Sequence, residues 1–155
     1  YGTVTAGKLS NRKVISVEFG KADIKEMSDS TGLVFKYSKV EIGKLSGIAR
    51  AEFQYCSSID LPVDNSLKEV EIKNNYTSLY LLTSGDFSAD YDITTNNSSA
   101  TGKNHIAIQE VKTGAPNSNN RMVYYSPSHR YSGSIGKGGG TRMTIRSNFG
   151  NVRVM

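Results

Sequence analysis

The chain has 155 residues, a formal net charge of +5 and a sequence pI near 9.3. No apolar run approaches the length needed to cross a bilayer, and a single cysteine excludes an internal disulfide and a cysteine-rich zinc site. Nine Tyr, five Phe, three Pro and no Trp, with no stretch of sustained helical periodicity, point to one all-β domain.

The predicted elements follow a repeat. An aromatic followed by a small residue occurs at Tyr1-Gly2, Phe19-Gly20, Tyr37-Ser38 and Tyr55-Cys56, each 18 residues after the last. Tyr76-Thr77 follows after 21, and Phe149-Gly150 carries the same signature near the end. Three and five positions after the aromatic come Val4 and Ala6, Ala22 and Ile24, Val40 and Ile42, Leu79 and Leu81, Val152 and Val154. Two and four before it lie Val17 and Ile15, Phe35 and Leu33, Phe53 and Ala51, Ser147 and Ile145. Spacing by two is strand periodicity, so each repeat reads as two short strands. A fixed period of this size predicts a right-handed single-chain β-solenoid with coils of about 18–21 residues. An antiparallel sandwich is the alternative, but it gives no reason for the apolar positions to recur in register.

Inward parity changes between the aromatic and the third residue after it. The small residue between them is expected to supply the corner, with glycine the easiest solution, and the aromatics to form a core column. Cys56 fills that corner place in the fourth repeat. Ile59 and Leu61 then fall one step late, which predicts a one-residue bulge. A second corner is expected near Gly7-Lys8, Lys25-Glu26, Gly43-Lys44 and Pro62. The domain divides into regular coils over 1–93, an irregular looped coil over 94–140 and a closing coil over 141–155, with Asn96-Asn97 as a polar form of the anchor. Because the chain opens on an anchor at Tyr1, preceding coils in a parent protein are expected.

Asn75 to Leu81, Tyr131 to Gly140 and Ile145 to Val154 together resemble a bacterial family of coiled β-solenoid domains classed as adhesins on fold and location. The flavour is that of its Bacteroidetes members, in which tyrosine-glycine-x-valine-x-isoleucine units recur. The resemblance covers nearly the whole chain, though Cys56, Thr77 and Asn97 stand where the family usually has glycine. It implies an extracytoplasmic solenoid (cell surface, periplasm or secreted) with no cofactor, no enzymatic activity and no catalytic residues to carry over.

Candidate chemistry is sparse. Lys and Arg (Arg12, Lys13, Lys21, Lys25, Lys36, Lys39, Lys44, Arg50) interleave with Glu18, Asp23, Glu26, Asp29, Glu41 and Glu52, as a soluble sheet face requires. They do not cluster around exposed aromatics, so nucleic acid is not the expected partner. His105 and His129 stand outside any metal-ligand pattern, and Ser126, Ser128 and His129 lack an oriented acid for a hydrolase triad. The run Gly136 to Thr141 lacks the order of a phosphate loop and reads as a flexible hairpin. Asp60, Asp64, Asp86, Asp90 and Asp92 read as solvated strand and turn residues, with calcium as the alternative. Asn75-Tyr76-Thr77 and Asn97-Ser98-Ser99 match a glycosylation acceptor pattern at the frequency expected of such a composition.

The segment Arg121 to Tyr131 is the best surface candidate, because Tyr124, Tyr125, His129, Arg130 and Tyr131 combine aromatics with a guanidinium. The leading expectation is a non-catalytic adhesive or structural module contacting glycan or a surface protein, without membrane insertion of this domain. A carbohydrate-active β-helix enzyme using surface carboxylates is the alternative. End-to-end or edge self-association follows from the open first coil.

Overall fold

The computed structural model describes residues 1–10, 14–103, 106–111 and 128–155. The described residues contain no helix. They form thirteen strands: β1 (Gly2–Leu9), β2 (Ile15–Glu18), β3 (Gly20–Lys36), β4 (Lys39–Ile42), β5 (Leu45–Gln54), β6 (Ser58–Val63), β7 (Leu67–Asn75), β8 (Ser78–Thr83), β9 (Ala89–Asn96), β10 (Ala100–Gly102), β11 (Ser128–Ile135), β12 (Thr141–Asn148) and β13 (Val152–Val154). One sheet runs β1-β3-β5-β7-β12-β9-β11, with β2 and β4 also on β3, and a second runs β10-β13-β8-β6.

Every pairing is parallel except β11 on β9, which makes the first sheet mixed. Parallel pairing is what the repeat demands and what an antiparallel sandwich lacks. Successive repeats meet at their own period: Thr3 opposes Lys21, Ala22 opposes Val40 and Leu33 opposes Ala51. Equivalent apolar positions therefore fall above one another. Ala22 and Val40 are buried above one another, as are Ile59, Leu79 and Val152 beyond a break in the pairing, and Leu33, Ile72, Ile145 and Ile93 lie in another column. At roughly 25 cal/mol per Å2 of apolar surface removed from water, such columns are the main stabilising term.

The corners differ from the expectation. It is the aromatic itself that adopts the left-handed conformation, with φ of 48–54° at Phe19, Tyr37, Tyr55, Tyr76 and Phe149, and 51° at the polar substitute Asn97. This turns the ring outward and the following residue inward, so Ser38, Cys56 and Thr77 are buried. The aromatics are therefore not a core column. Gly20 and Gly150 are needed for a different reason: a Cβ at either would run into the carbonyl oxygen of Gly2 or Thr77 on the adjacent repeat.

Two further features follow from insertions. The extra residue of the fourth repeat sits at Ser57, outside any strand. β4 then pairs only with β3 and β6 only with β8, leaving a cavity of about 360 Å3 beside Lys39, Glu41, Ser57 and Asp60. The strands that come last in sequence do not come last in space. β12 lies between β7 and β9, and β13 lies between β8 and β10.

Candidate binding surfaces

Three places gather polar or aromatic groups. The first is the end of the larger sheet, where β11 runs antiparallel along β9. Tyr131 opposes Ile93 and Ile135 opposes Ala89; both side chains turn inward, with Tyr131 only 7 % exposed. Alternation then places Arg130 toward solvent, while His129 shares the face of Tyr131 near the strand's start and stays partly exposed. Arg130 grips Asp92 with two contacts, Nη2 to Oδ2 at 3.0 Å and Nε to Oδ1 at 3.3 Å, which pushes the guanidinium further above its ordinary value. His129 Nδ1 lies 2.6 Å from Glu110 Oε1. Val111 N–H donates to the Arg130 carbonyl at 2.7 Å and Glu110 bridges antiparallel to Tyr131, so the end of the 106–111 segment runs beside this strand. Beneath it, the Tyr91 hydroxyl accepts from Gln109 N–H at 3.1 Å, beside a cavity of about 360 Å3 lined by Ile106, Gly133, Ser134 and Ile135.

Of the residues expected to form a ligand surface, the structure sends Arg130 outward onto Asp92, sets His129 on the other face beside Glu110 and turns Tyr131 into the core, so these three do not form one surface. Tyr124, Tyr125 and Ser126 lie outside the described residues, as do His105, Arg12 and Lys13.

The second place is the outward row of rings. Tyr1, Phe19, Tyr37, Tyr55, Tyr76 and Phe149 stack with centroid spacings of 4.7–5.5 Å, and the four contacts beyond Phe19 are within 2–6° of parallel. Phe19 to Phe149 remain about half exposed, at 48–51 %. Each corner N–H is held by a neighbouring repeat, for instance Tyr37 N to Gln54 O at 3.0 Å and Tyr76 N to Asn148 O at 2.9 Å. Periodicity located these residues; their outward direction depends on a backbone angle that no residue pattern announces.

The third is the set of carboxylates. Asp90 accepts from Ser134 Oγ at 2.6 Å, and that hydroxyl holds its carboxyl below the usual range, helped by the Gly139 amide and Arg142. Asp64 is lowered by the Ser66 hydroxyl and amide, and Glu41 by its hydrogen bond to Lys39 and the nearby Lys21 charge. Asp86 is bonded to Asn65. Ion pairs join neighbouring repeats at Lys36–Glu18 (3.5 Å), Arg50–Glu69 (3.2 Å) and Arg50–Glu71 (3.6 Å). Among the described residues no group of three or more His, Cys, Asp or Glu side chains is placed to hold a metal ion. Cys56 is a buried corner residue with Sγ 3.5 Å from the Phe35 and Gln54 carbonyl oxygens, and burial pushes its thiol up. Compared with protein-family models, curated proteins and solved structures, the chain matches none.

Proposed function

We propose that the chain is a right-handed single-chain β-solenoid, with coils of about 18–21 residues, that serves as a non-catalytic extracytoplasmic domain contacting glycan or protein. The parallel registers at the repeat period support the coil reading, and parallel strands joined by crossovers are right-handed in nearly all folds. The family resemblance of its repeat units supports the adhesin-type role and the location.

The observation that carries the functional reading is the exposed row of six rings. The faces of the four interior rings are covered by their neighbours, so what these offer is ring edges, with the phenolic hydroxyls of Tyr37, Tyr55 and Tyr76 spaced at one strand separation. A linear polymer laid along the row meets the same weak contact at each repeat, and the contacts accumulate through effective concentration. Lys21, Lys36 and Lys39 flank the row but are paired with Glu41 and Glu18, so the bias toward acidic glycans comes from the chain's net charge of +5.

The test is retention of envelope and host polysaccharides on the immobilised chain, read together with the length of the recovered polymer. Retention without shortening, lost in a Tyr37→Ser, Tyr55→Ser double variant, is the expected result. Shortened polymer would point to a carbohydrate-active enzyme and send attention to the carboxylates. Absence of retention across the panel would overturn the contact role and leave a scaffold.

A further inference from the structure

We infer that residues 141–155 form an exchangeable segment, and that the partner whose slot they fill in trans is a second copy of this chain. The inference rests on strand order and charge, independently of the proposed glycan contact.

Four observations carry it. First, the segment is an insertion into a ready-made slot. β12 pairs with β7 on one side, Ile145 opposite Ile72, and with β9 on the other, Ile145 opposite Ile93. β13 does the same between β8 and β10, with Val152 opposite Leu79 and Ala100. Met143, Ile145, Ser147, Val152 and Val154 are fully buried there.

Second, apart from the Ser147 hydroxyl donating to the Gly150 carbonyl within the segment, the side-chain bonds described for it run to residues outside it, along the slot. Asn148 donates to Asn75 Oδ1 at 2.7 Å and accepts from Asn96 Nδ2 at 2.6 Å. Ser147 accepts from Asn74 Nδ2 at 2.9 Å, and the Phe149 ring stacks on Tyr76 at 4.7 Å. A segment arriving from another copy makes every one of these contacts unchanged, which is the condition for low-cost exchange.

Third, the slot resists closing on itself. The paired registers put Arg142 between Glu69 and Asp90, and Thr144 between Glu71 and Asp92. Bringing β9 directly onto β7 in the same register would set two pairs of carboxylates side by side, which is unfavourable across a strand pair. Arg50 holds Glu69 and Glu71 and Arg130 holds Asp92 from the outer sides, and β12 adds a further cation, Arg142, in register between Glu69 and Asp90.

Fourth, the tether is suited to two positions. The chain leaves β11 on the far side of β9 and reaches β12 through Gly136 to Gly140, with φ of 62°, 71° and 74° at Gly136, Gly138 and Gly139. Glycines enter this closed turn without penalty and leave it for an extended path as readily. Short hinges of this kind are where exchange between copies begins.

The experiment uses the full chain with Lys73→Cys and Arg146→Cys, two positions paired across β7 and β12 that leave the wall carboxylates in place. The protein is unfolded, refolded at high and at low concentration under reductant, then oxidised and run without reductant. Exchange predicts a covalent dimer after concentrated refolding and an internally bridged monomer after dilute refolding. It also predicts that the dimer from unmodified protein survives dilution in native mass spectrometry. Deleting Gly138 and Gly139 shortens the hinge and should raise the dimer fraction several-fold. An internally bridged monomer alone at both concentrations would overturn the inference, as would a dimer that dissociates on dilution. If the shortened variant does not fold, the cysteine pair still decides.

Discussion

At the scale of single residues, the corners set two opposing terms against each other. A bulky side chain in the left-handed region is strained by roughly 1–2 kcal/mol. Each interior ring also gains two stacking contacts, each worth about 0.5–1.5 kcal/mol beyond its burial. Tyr55 sits between Tyr37 and Tyr76 with φ of 51°. Tyr55→Ala should therefore cost about 1–3 kcal/mol, because it loses both contacts and keeps the strain. Tyr55→Gly loses the contacts and relieves the strain, so its urea midpoint should lie above that of the alanine variant. The reverse order would mean that the rings do not stabilise the corner. Cys56 offers a second check: a buried thiol pushed above its ordinary value should react with a neutral-pH thiol reagent only as fast as the protein opens. Labelling at the rate of a free thiol would contradict the burial. This scale was only half readable in advance. The 18-residue spacing identified Phe19, Tyr37 and Tyr55 as a set, but alternation alone assigned them inward. Whether the aromatic or its small neighbour takes the left-handed φ decides the direction, and glycine's usual claim on that conformation pointed to the wrong residue.

At the scale of the strand, the later repeats replace aromatic packing with polar bonding. The column that holds Phe35 and Phe53, whose rings stack at 5.6 Å, continues as Asn74, Ser147 and Thr95, all buried. Beside it the amides of Asn75, Asn148 and Asn96 bond in a row across three strands. Asn148→Ala removes the middle member and should cost about 1–2 kcal/mol by urea unfolding. A variant as stable as the parent would reduce the row to surface decoration. The charged rows act through pH. Glu41, Asp64 and Asp90 have folded-state values below their ordinary ones, so each contributes stability that is complete above the ordinary carboxylate value and is lost as pH falls through the folded one. The melting temperature should hold level down to the ordinary carboxylate range and then fall, and Asp64→Asn should flatten part of that fall. Salt should weaken the share of exposed Glu41, which rests on Lys39 and Lys21, more than those of Asp64 and Asp90, which rest first on serine hydroxyls. Alternation made these strands legible as strands and their charges legible as outward. The break between β4 and β6 was legible only as one residue too many after Cys56, since sequence does not say whether a bulge absorbs it or the sheet parts.

At the scale of the whole molecule, the order of repeats in space is not their order in the chain. Each repeat looks alike to the next, so any of them fits beside any other and period alone cannot rank them. Phe149-Gly150 carries the same signature as the early corners, and nothing in that signature says that it belongs between Tyr76 and Asn97. What ranks them is the acidic rows of β7 and β9, which favour β12 and its Arg142 between them. This arrangement constrains folding. β1 to β5 are joined by pairings between consecutive repeats, but β7 and β9 share no ladder, and β12 pairs with β7 across about 73 residues of chain. Such long loops must close before their contacts stabilise anything, which delays them. Pulse-labelling hydrogen exchange during refolding should therefore show amides of residues 20–54 protected first. Those of 89–96 and 141–148 should follow together in a later phase, because neither strand has its full set of partners without the other. Protection, well before 141–148, of the 89–96 amides that do not pair with β11 would mean that β9 docks on β7 unaided, and the argument that their carboxylates keep them apart would fall with it.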